Sequence, residues 1–317
     1  MIGTVIKSTG SWYNVQTDCG LRLDCRIKGK FRQAGLTLTN PVAVGDRVQL
    51  VPEAGQPTAM ITEILPRRNY LIRESTRRKH QLHLMACNID QAILVTTIRE
   101  PNLKFGFIDR FLLNTAPQDI PTLIVFNKTD IYDSSDWETL NAARNIYEKI
   151  GYSVLAVSVN SGAGLQELKA ALMGKISFVS GFSGVGKSSL INKLDPTLNL
   201  RATPLSEATG KGQHTTTFAE WHALSGDPSA AIIDTPGIKE LGFLNLNPLD
   251  VAHNYKEFLS ASEQCRFGTK CMHLNEPDCA VKNAVESGEI SPLRYQSYQA
   301  IQEEVGQQNS WERKTDW

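Results

Sequence analysis

Hydrophobic and polar positions follow two different patterns along the chain. Over the first 65 residues, apolar and β-branched residues form short, partly alternating runs with glycines between them, at residues 4–6, 12–16, 21–25 and 47–51. Short strands at such spacing are typical of a small barrel or sandwich, and an OB-like barrel is one such fold. We therefore predict an N-terminal OB-like β-barrel.

Beyond residue 90, short apolar runs alternate with longer amphipathic segments. Strands of the buried type are predicted at residues 92–95, 122–126, 154–157 and 176–180, and helices at residues 108–116, 137–150 and 165–172. Strands that alternate with helices favour a mainly parallel sheet that is covered on both faces. Residues 66–80, which are rich in arginine, are interpreted as a basic linker between the two patterns.

A phosphate-binding motif follows the strand predicted at residues 176–180. The sequence from Gly181 to Ser188 matches G-x-x-x-x-G-K-[ST] and precedes a helix that begins near Lys187. Glycines in such a loop let backbone N–H groups turn toward phosphates at a helix N-terminus. We expect Lys187 to contact the β- and γ-phosphate oxygens and the Ser188 hydroxyl to bind Mg²⁺.

Residues 232–237 form a second strand that ends in an acidic turn. Asp234 suits the carboxylate on the Mg²⁺ side of a nucleotide, and the backbone N–H of Gly237 is suited to sense a γ-phosphate. An ordinary Asp-Thr-Pro-Gly turn has the same composition. Its occurrence together with the phosphate loop favours the nucleotide interpretation.

The segment Asn127-Lys128-Thr129-Asp130 indicates which base is bound. A carboxylate at Asp130 can accept two hydrogen bonds from N1–H and the amino group of guanine, and adenine offers no such pair. A good bidentate contact discriminates between bases by about 1–3 kcal/mol in the analogous readout of nucleic acids. Asn127 is expected to hold the neighbouring loop and purine N7, and Lys128 to cover the base plane. The loop Ser158-Val159-Asn160 can offer backbone N–H groups to guanine O6.

The segment between the two phosphate motifs, residues 210–217, has the glycine and polar content of a mobile switch. A threonine here would complete the Mg²⁺ shell, and Thr216 is preferred to Thr215. The position after the Asp-Thr-Pro-Gly turn is Ile238 rather than the glutamine that orients the attacking water in many GTPases. We therefore expect either that hydrolysis is slow or that another residue or a partner aligns the water. His214 is the nearest candidate in sequence for this role. The alternative is that His214 is a surface histidine without a catalytic role.

Three cysteines and one histidine gather within 15 residues, as Cys265, Cys271, His273 and Cys279. Three thiolates and one imidazole make a closed tetrahedral Zn²⁺ shell of the structural kind. A disulfide fits poorly in a reducing compartment and leaves His273 unexplained. We therefore predict one structural Zn²⁺ in the C-terminal region.

Composition adds one feature that the patterns do not reveal. The chain of 317 residues has a formal net charge of zero, yet residues 1–80 hold 13 Lys and Arg against 6 Asp and Glu, and residues 81–317 hold 20 against 27. A basic module of this kind can bind nucleic acid. Phe31 lies beside a basic cluster that suits phosphate contact and base stacking, formed by Arg22, Arg26, Lys28, Lys30 and Arg32. The alternative is a barrel that only packs on its neighbour.

The chain lacks both an apolar run of the ~20 residues that a membrane helix needs and a signal-peptide pattern, so we expect a cytoplasmic protein with no membrane partner.

The nucleotide motifs together resemble the translation-factor-related GTPases, in an unusual order. Most such GTPases place the phosphate loop before the Asn-Lys-x-Asp motif, whereas here residues 127–130 and 158–160 precede residues 181–188. That order is a circular permutation. The domain order is a small basic barrel, then a permuted GTPase, then a Cys-Cys-His-Cys subdomain. This order closely resembles the RsgA family of bacterial GTPases over nearly the whole chain. The loop Ser158-Val159-Asn160 departs from the usual Ser-Ala-x, although its expected role is through the backbone.

The resemblance implies a multidomain α/β fold with an OB-like RNA-binding barrel and basic linker at residues 1–80, a circularly permuted P-loop GTPase domain at 81–243 and a zinc-binding helical domain at 244–317. Lys187 and His214 are the candidate catalytic residues, and Ser188 and Thr216 are the candidate magnesium ligands. The residues expected to contact the nucleotide are Asn127, Lys128, Asp130, Ser158, Val159, Asn160, Gly181, Phe182, Ser183, Gly184, Val185, Gly186, Lys187, Ser188, Ser189, Asp234 and Gly237.

The function implied by the resemblance is a GTP hydrolase that binds the small (30S) ribosomal subunit late in its maturation. In that family hydrolysis is slow alone and stimulated by the subunit, and it drives release of the factor. The expected partners are GTP or GDP and the small subunit with its rRNA, bound by a monomer. Two alternatives remain open at this point: a permuted GTPase that acts on the large subunit or another RNA, and a non-enzymatic RNA-binding scaffold.

Overall fold

A computed structural model of the chain describes residues 1–27, 40–74, 82–200, 219–235 and 246–307. The strands within these ranges are β1 Ile2–Ser8, β2 Tyr13–Thr17, β3 Arg22–Ile27, β4 Arg47–Pro52, β5 Thr58–Ile64, β6 Tyr70–Glu74, β7 Leu82–Cys87, β8 Gln91–Thr96, β9 Thr122–Phe126, β10 Ser153–Ala156, β11 Ile176–Gly181, β12 Glu220–Leu224 and β13 Asp227–Asp234. The α-helices are α1 Phe105–Thr115, α2 Ser134–Lys149, α3 Leu165–Leu172, α4 Lys187–Leu194, α5 Pro248–His253, α6 Lys256–Ser262, α7 Ala280–Glu286 and α8 Pro292–Gln307.

The first five strands close into a barrel with the strand order β1-β2-β3-β5-β4, and β4 pairs again with β1. The pair β3–β5 is parallel and the other pairs are antiparallel. Alternate positions on these strands point inward, so that Val5, Val15, Leu50 and Ile61 are almost fully buried in the barrel core. The predicted OB-like barrel is confirmed, although β5 has no counterpart among the strands predicted from the sequence.

The α/β part of the sheet has the strand order β10-β9-β8-β11-β13-β12. The first five of these strands run parallel and β12 is antiparallel to β13. Successive residues of β8 point to opposite faces, so Ile93 joins the apolar cluster on one face and Leu94 the cluster on the other. Helices α1 and α2 contribute to the cluster around Leu94, and α3 and α4 to the cluster around Ile93. This is the doubly covered parallel sheet that the sequence pattern predicts.

The barrel and the α/β sheet are joined by main-chain pairing. Strand β1 changes register at a bulge between Val5 and Lys7, and Lys7 is then paired with Glu220 of β12. The side chains of Lys7 and Glu220 also form an ion pair. The eleven strands therefore form one continuous sheet through the described parts of the chain.

The structure differs from the sequence interpretation at residues 66–80, because β6 lies within the stretch interpreted as a linker. Strand β6 pairs with β7, and Leu71 and Ile72 are buried. Arginines around these two apolar residues gave the segment its linker-like composition. The barrel is therefore followed by a hairpin that packs against the α/β part, and the exact domain limits stay predictions.

The C-terminal helices α5 to α8 pack around a second apolar centre, which includes Tyr255, Phe258, Tyr298 and Ile301. Aromatic rings pack closely here, with the centroids of Phe258 and Tyr298 4.8 Å apart. Leu113 of α1 belongs to the same cluster. The helical region is thus joined to the α/β part through α1.

Candidate functional site

The carboxyl ends of β9, β10, β11 and β13 bring the predicted phosphate and base motifs to one edge of the sheet. Strand β11 lies at the centre of this group, with β13 on one side and β8, β9 and β10 on the other. Ligands of open α/β sheets bind at the carboxyl ends of the strands. The base motifs therefore follow β9 and β10, which precede β11 in sequence, and Asp234 ends β13, which comes after β11.

The phosphate loop runs from the end of β11 into α4 in a conformation that requires glycine. Gly184 and Gly186 have φ values of +88° and +85°. A Cβ atom on Gly181 would lie 2.3 Å from the carbonyl oxygen of Val95, and one on Gly186 would lie 2.6 Å from Nδ2 of Asn127. These glycines allow both the left-handed turn and the close approach of neighbouring chains.

Lys187 begins α4 and points to the end of β13. Its Nζ atom contacts the Asp234 carboxylate and donates a hydrogen bond to the carbonyl oxygen of Thr235 at 2.7 Å. Both Lys187 and Asp234 are buried. Ser188 follows in the first turn of α4. The N-terminus of α4, an ammonium group and a carboxylate thus meet at one point, with Ser188 next in sequence, and this arrangement suits a phosphate chain with a divalent cation.

Asn127 connects the base motif to the phosphate loop. It follows β9, is buried, and its Nδ2 donates to the carbonyl oxygen of Val185 at 2.9 Å. Its Oδ1 atom is buried without a hydrogen-bond partner among the described residues. Asn127 therefore ties the base motif to the phosphate loop, and its contact with the purine stays a prediction.

Two donors hold the carboxylate of Asp130. The Ser158 hydroxyl donates to Oδ1 at 2.6 Å, and the Asn160 amide donates to Oδ2 at 2.8 Å. The hydrogen bonds from Ser158 and Asn160 lower the pKa of Asp130 below its ordinary value. The Asp130 group is therefore an ionised acceptor at neutral pH, as bidentate recognition of a guanine requires.

Lys128 lies across the same loops. Its Nζ donates to the carbonyl oxygen of Glu100 at 2.6 Å, and its Cε lies 4.0 Å from the position that a Cβ atom on Gly186 would occupy. Partial burial lowers the pKa of Lys128. The aliphatic part of Lys128 thus forms one wall beside the phosphate loop.

The remaining predicted nucleotide residues lie in the same loops or outside the described ranges. Val159 packs at the edge of the apolar cluster around Ile93, and Phe182 packs against Phe107 in a tilted arrangement with ring centroids 3.9 Å apart. Ser183 lies in the phosphate loop and Ser189 in the first turn of α4. The predicted residues outside the described part of the chain are His214, Thr216 and Gly237. All of these assigned roles stay predictions.

Sequence reasoning missed several side chains that build the base loops. The Tyr132 hydroxyl donates to the carbonyl oxygen of Asn127 at 2.8 Å and accepts from the backbone N–H of Ile98 at 2.8 Å. The side-chain roles of Ser158 and Asn160 were also missed, because only their backbone groups were considered. The hydroxyl of Ser158 and the amide of Asn160, in a loop directly after a predicted strand, were the sequence signal for such side-chain contacts.

The cysteine and histidine motif forms a compact cluster between α6 and α7. All four ligand atoms of Cys265, Cys271, His273 and Cys279 lie within 4.8 Å of one another, and all four residues are buried. Two sulfur pairs are 3.9 Å apart, and Nδ1 of His273 lies 3.4 Å from the sulfur of Cys279 and 3.7 Å from that of Cys265. Zn–S and Zn–N bonds of usual length make tetrahedral edges of about 3.8 Å and about 3.6 Å. The cluster therefore fits Zn²⁺.

Neighbouring side chains hold the loop that carries these ligands. The Glu276 carboxylate accepts from the backbone N–H groups of Met272 and Leu274 at 3.0 and 2.8 Å. The Tyr295 hydroxyl of α8 donates to the carbonyl oxygen of His273 at 2.7 Å. The backbone around His273 is thus held by the surrounding helical region.

Part of the predicted basic cluster lies on the described surface of the barrel. The Arg26 guanidinium stands over the ring of Trp12, 4.8 Å from its centroid, and Trp12 is 41% exposed. Arg22 is exposed on the same strand as Arg26. Lys28, Lys30, Phe31 and Arg32 lie outside the described residues. Among the helices that are described, none has the length and apolarity to cross a membrane.

Comparisons with known proteins agree with this architecture. Residues 64–244 match the family model described as RsgA GTPase, and residues 2–59 match the model described as RsgA N-terminal domain. A small ribosomal subunit biogenesis GTPase RsgA from Flavobacterium psychrophilum is 45% identical, over 96% of this chain and 93% of the relative. The protein of the same name from Bacteroides fragilis is 44% identical, over 96% of this chain and 97% of the relative.

Two solved structures resemble the chain over nearly its full length. The crystal structure of YjeQ from Thermotoga maritima has a TM-score of 0.75 at 34% identity, and the match covers 97% of this chain and 99% of that one. The crystal structure of YloQ, described as a circularly permuted GTPase, has a TM-score of 0.69 at 28% identity over 96% of this chain and 94% of that one. With a permuted phosphate site on a matching fold and relatives of such identity, the chain belongs to the RsgA GTPase family.

Proposed function

We propose that this protein hydrolyses GTP to GDP and phosphate during late maturation of the small ribosomal subunit, and that binding to the subunit stimulates hydrolysis and drives release. The observation that carries the proposal is the tie between base and phosphate motifs, made by the Asn127 hydrogen bond to Val185. That contact joins a guanine motif to a phosphate loop within a chain of the RsgA GTPase family.

Each part of the nucleotide has a proposed set of protein groups. Asp130 accepts hydrogen bonds from the guanine edge, and Asn127 and Lys128 hold the purine from the side of the phosphate loop. Backbone N–H groups of residues 181–188 surround the phosphates at the N-terminus of α4. On nucleotide binding, the Lys187 ammonium group leaves the Asp234 carboxylate and contacts phosphate oxygens, because the phosphate chain carries more negative charge than a single carboxylate.

Ser188 and Asp234 are the described residues that would hold Mg²⁺, with Thr216 as the predicted third group. A hydroxyl and a carboxylate at the phosphate end of the site are the oxygen ligands that Mg²⁺ prefers. When bound with GTP, Mg²⁺ supplies positive charge to the β- and γ-phosphate oxygens. His214 stays the candidate for aligning the water, since Ile238 has no side-chain group that can do so.

The barrel and the zinc-binding region are proposed to contact ribosomal RNA. Trp12 and Arg26 together offer an exposed stacking surface with a positive charge, and this combination suits single-stranded RNA. Cys265, Cys271, His273 and Cys279 are proposed to hold one structural Zn²⁺. Action on ribosomal subunits would take place in the cytoplasm, and we propose that the protein acts there as a monomer.

The main alternative is a permuted GTPase that acts on the large subunit or on another RNA. The relatives from Flavobacterium psychrophilum and Bacteroides fragilis are named for small ribosomal subunit biogenesis, which supports the small subunit instead. The non-enzymatic scaffold is disfavoured because Lys187, Ser188 and Asp234 are all present at the phosphate end.

The decisive experiment measures phosphate release from GTP by the purified protein alone, with isolated 30S subunits and with isolated 50S subunits. We expect slow hydrolysis alone and at least about tenfold stimulation by 30S subunits only, with ATP not hydrolysed. Lys187→Ala protein controls for contaminating GTPases. Stimulation by 50S subunits alone would favour the alternative, and no GTP turnover in any condition would contradict the enzyme proposal.

A further inference from the structure

We propose that the side chain of Asn160 is a specificity-determining positioning residue, which fixes the Asp130 carboxylate in the orientation that distinguishes guanine from bases without a 2-amino group. This inference rests on the proposed function, since it concerns how the same nucleotide site selects its base. It gives Asn160 a role beyond the backbone contact predicted from the sequence.

The two oxygens of Asp130 are held by different donors. Oδ1 accepts from the Ser158 hydroxyl at 2.6 Å and Oδ2 accepts from the Asn160 amide at 2.8 Å. One donor alone leaves the carboxylate free to rotate about its last side-chain bond, which has a broad torsional profile. Donors on both oxygens fix the plane of the carboxylate.

The remaining acceptor capacity of Asp130 matches guanine. An ionised carboxylate has about four acceptor positions, two on each oxygen. Ser158 and Asn160 use one position on each oxygen, so each oxygen keeps one position for a base. Guanine presents two parallel donors, N1–H and the 2-amino group, and these fill both remaining positions. Hypoxanthine has N1–H but no amino group, so one oxygen would stay unpaired.

The turn that carries Asn160 is rigid enough to act as a support. The backbone N–H of Ser158 donates to the carbonyl oxygen of Ala163 at 3.0 Å, and that of Gly162 donates to the carbonyl oxygen of Ser158 at 3.0 Å. Gly164 has a φ of +68°, and a Cβ atom there would lie 2.2 Å from the carbonyl oxygen of Ala156. Ser158 itself is completely buried. The turn is thus closed by its own hydrogen bonds and packed against the end of β10.

The uncharged amide of Asn160 suits this position. Asp130 and Asn160 are exposed in the structure, and a bound base would cover the Asp130 carboxylate. A neutral donor orients the carboxylate and leaves its negative charge available to the two base donors. Asn160→Asp would keep the shape of the side chain, remove the donor and place a second carboxylate beside the first.

The test compares guanosine diphosphate with inosine diphosphate, which lacks only the 2-amino group. Binding of both is measured by calorimetry for the wild type, Asn160→Ala and Asn160→Asp. We expect Asn160→Ala to lower the affinity for GDP about tenfold and the affinity for IDP less than about threefold, so that the preference for GDP falls. The reason is that a fixed acceptor on Asp130 disfavours a base that lacks the matching donor. Asn160→Asp is expected to reduce the preference further.

Ser161→Ala is the matched control, because Ser161 lies on the same turn and its hydroxyl accepts from the backbone N–H of Ala163, away from the carboxylate of Asp130. It should leave the GDP-to-IDP preference unchanged. If Asn160→Ala lowered the affinities for GDP and IDP equally, the positioning role would be overturned and a general effect on the loop would be indicated. A wild-type protein that does not prefer GDP to ADP would instead contradict the proposed guanine site, so the two failures are distinguishable.

Discussion

Gly186 lies where the phosphate loop meets the guanine motif. Its φ of +85° is a conformation that residues with a Cβ atom adopt at a cost of about 1–2 kcal/mol. An added methyl group would also lie 2.6 Å from the amide of Asn127, which is buried and bonded to Val185. Steric conflict at this point therefore affects both motifs at once.

We predict that Gly186→Ala lowers GDP affinity at least about a hundredfold, because it displaces Asn127 and the phosphate loop together. Isothermal calorimetry with GDP measures the effect. Gly226→Ala is the matched control: Gly226 has a φ of +92° in the turn between β12 and β13, with nothing within 4 Å of the added Cβ. It should destabilise the fold by about 1–2 kcal/mol and keep wild-type affinity. Equal affinities of the two variants would contradict the proposed site geometry.

The motif residues could be predicted individually because phosphate and guanine chemistry restricts residue type and spacing. Gly181 is the last residue of β11, Lys187 begins α4, and Asp130 lies shortly after the end of β9. The side-chain role of Asn160 could not be predicted, since it depends on how two loops that are 30 residues apart in sequence approach each other in space. A contact of this kind follows from the sheet order rather than from a local pattern.

At the scale of elements, the loop between α6 and α7 depends on its predicted metal. Its ligands are buried, and the side chains of Glu276 and Tyr295 hold its backbone. Without a cation, three thiol groups and an imidazole would meet in a dry centre, and the favourable ligand bonds would be lost. Structural Zn²⁺ sites contribute directly to folding free energy.

We predict that purified protein contains about one Zn²⁺ per chain, and that removing it with a chelator exposes residues 246–307 to hydrogen exchange while the central strands β8 and β11 stay protected. Cys271→Ser should have the same effect. Cys19→Ser is the control, because Cys19 is exposed and lies in the barrel. A zinc-free protein with full protection of residues 246–307 would contradict the metal assignment.

The elements themselves were predictable where the pattern was strong. Buried runs such as β9 and β11 and the amphipathic helix α2 lie within a few residues of their predicted limits. Strands β5, β6, β7 and β12 were not predicted. Their pairing partners are hairpin neighbours or distant strands, and β-structure depends on cross-strand packing more than on intrinsic preference. The buried pair Leu71 and Ile72 of β6 was hidden among charged residues.

At the scale of the whole molecule, one buried ionic network joins the C-terminal helices to the GTPase part. Arg294 of α8 donates to Asp109 of α1 at 2.6 Å and to Glu257 of α6 at 2.7 Å. The Tyr147 hydroxyl of α2 also donates to Asp109, at 2.7 Å. Burial favours a neutral Arg294, but the charges of Asp109 and Glu257 outweigh it and raise the pKa of Arg294 well above its ordinary value. The guanidinium therefore stays charged between the two carboxylates.

We predict that Arg294→Met destabilises the protein by about 3–5 kcal/mol, because Asp109 and Glu257 then stay buried without their cation. Arg110→Met is the matched control: Arg110 also joins α1 to α8, through Glu304, but this pair is partly exposed and is expected to contribute less than about 1 kcal/mol. Denaturant titration followed by circular dichroism measures both variants. Because loss of the network removes the buried ionic contact between the C-terminal helices and the GTPase part, residues 246–307 of Arg294→Met should also exchange hydrogen faster than those of Arg110→Met. Equally small effects of the two substitutions would contradict the role of the ionic network and leave apolar packing as the main contribution to docking of the C-terminal helices.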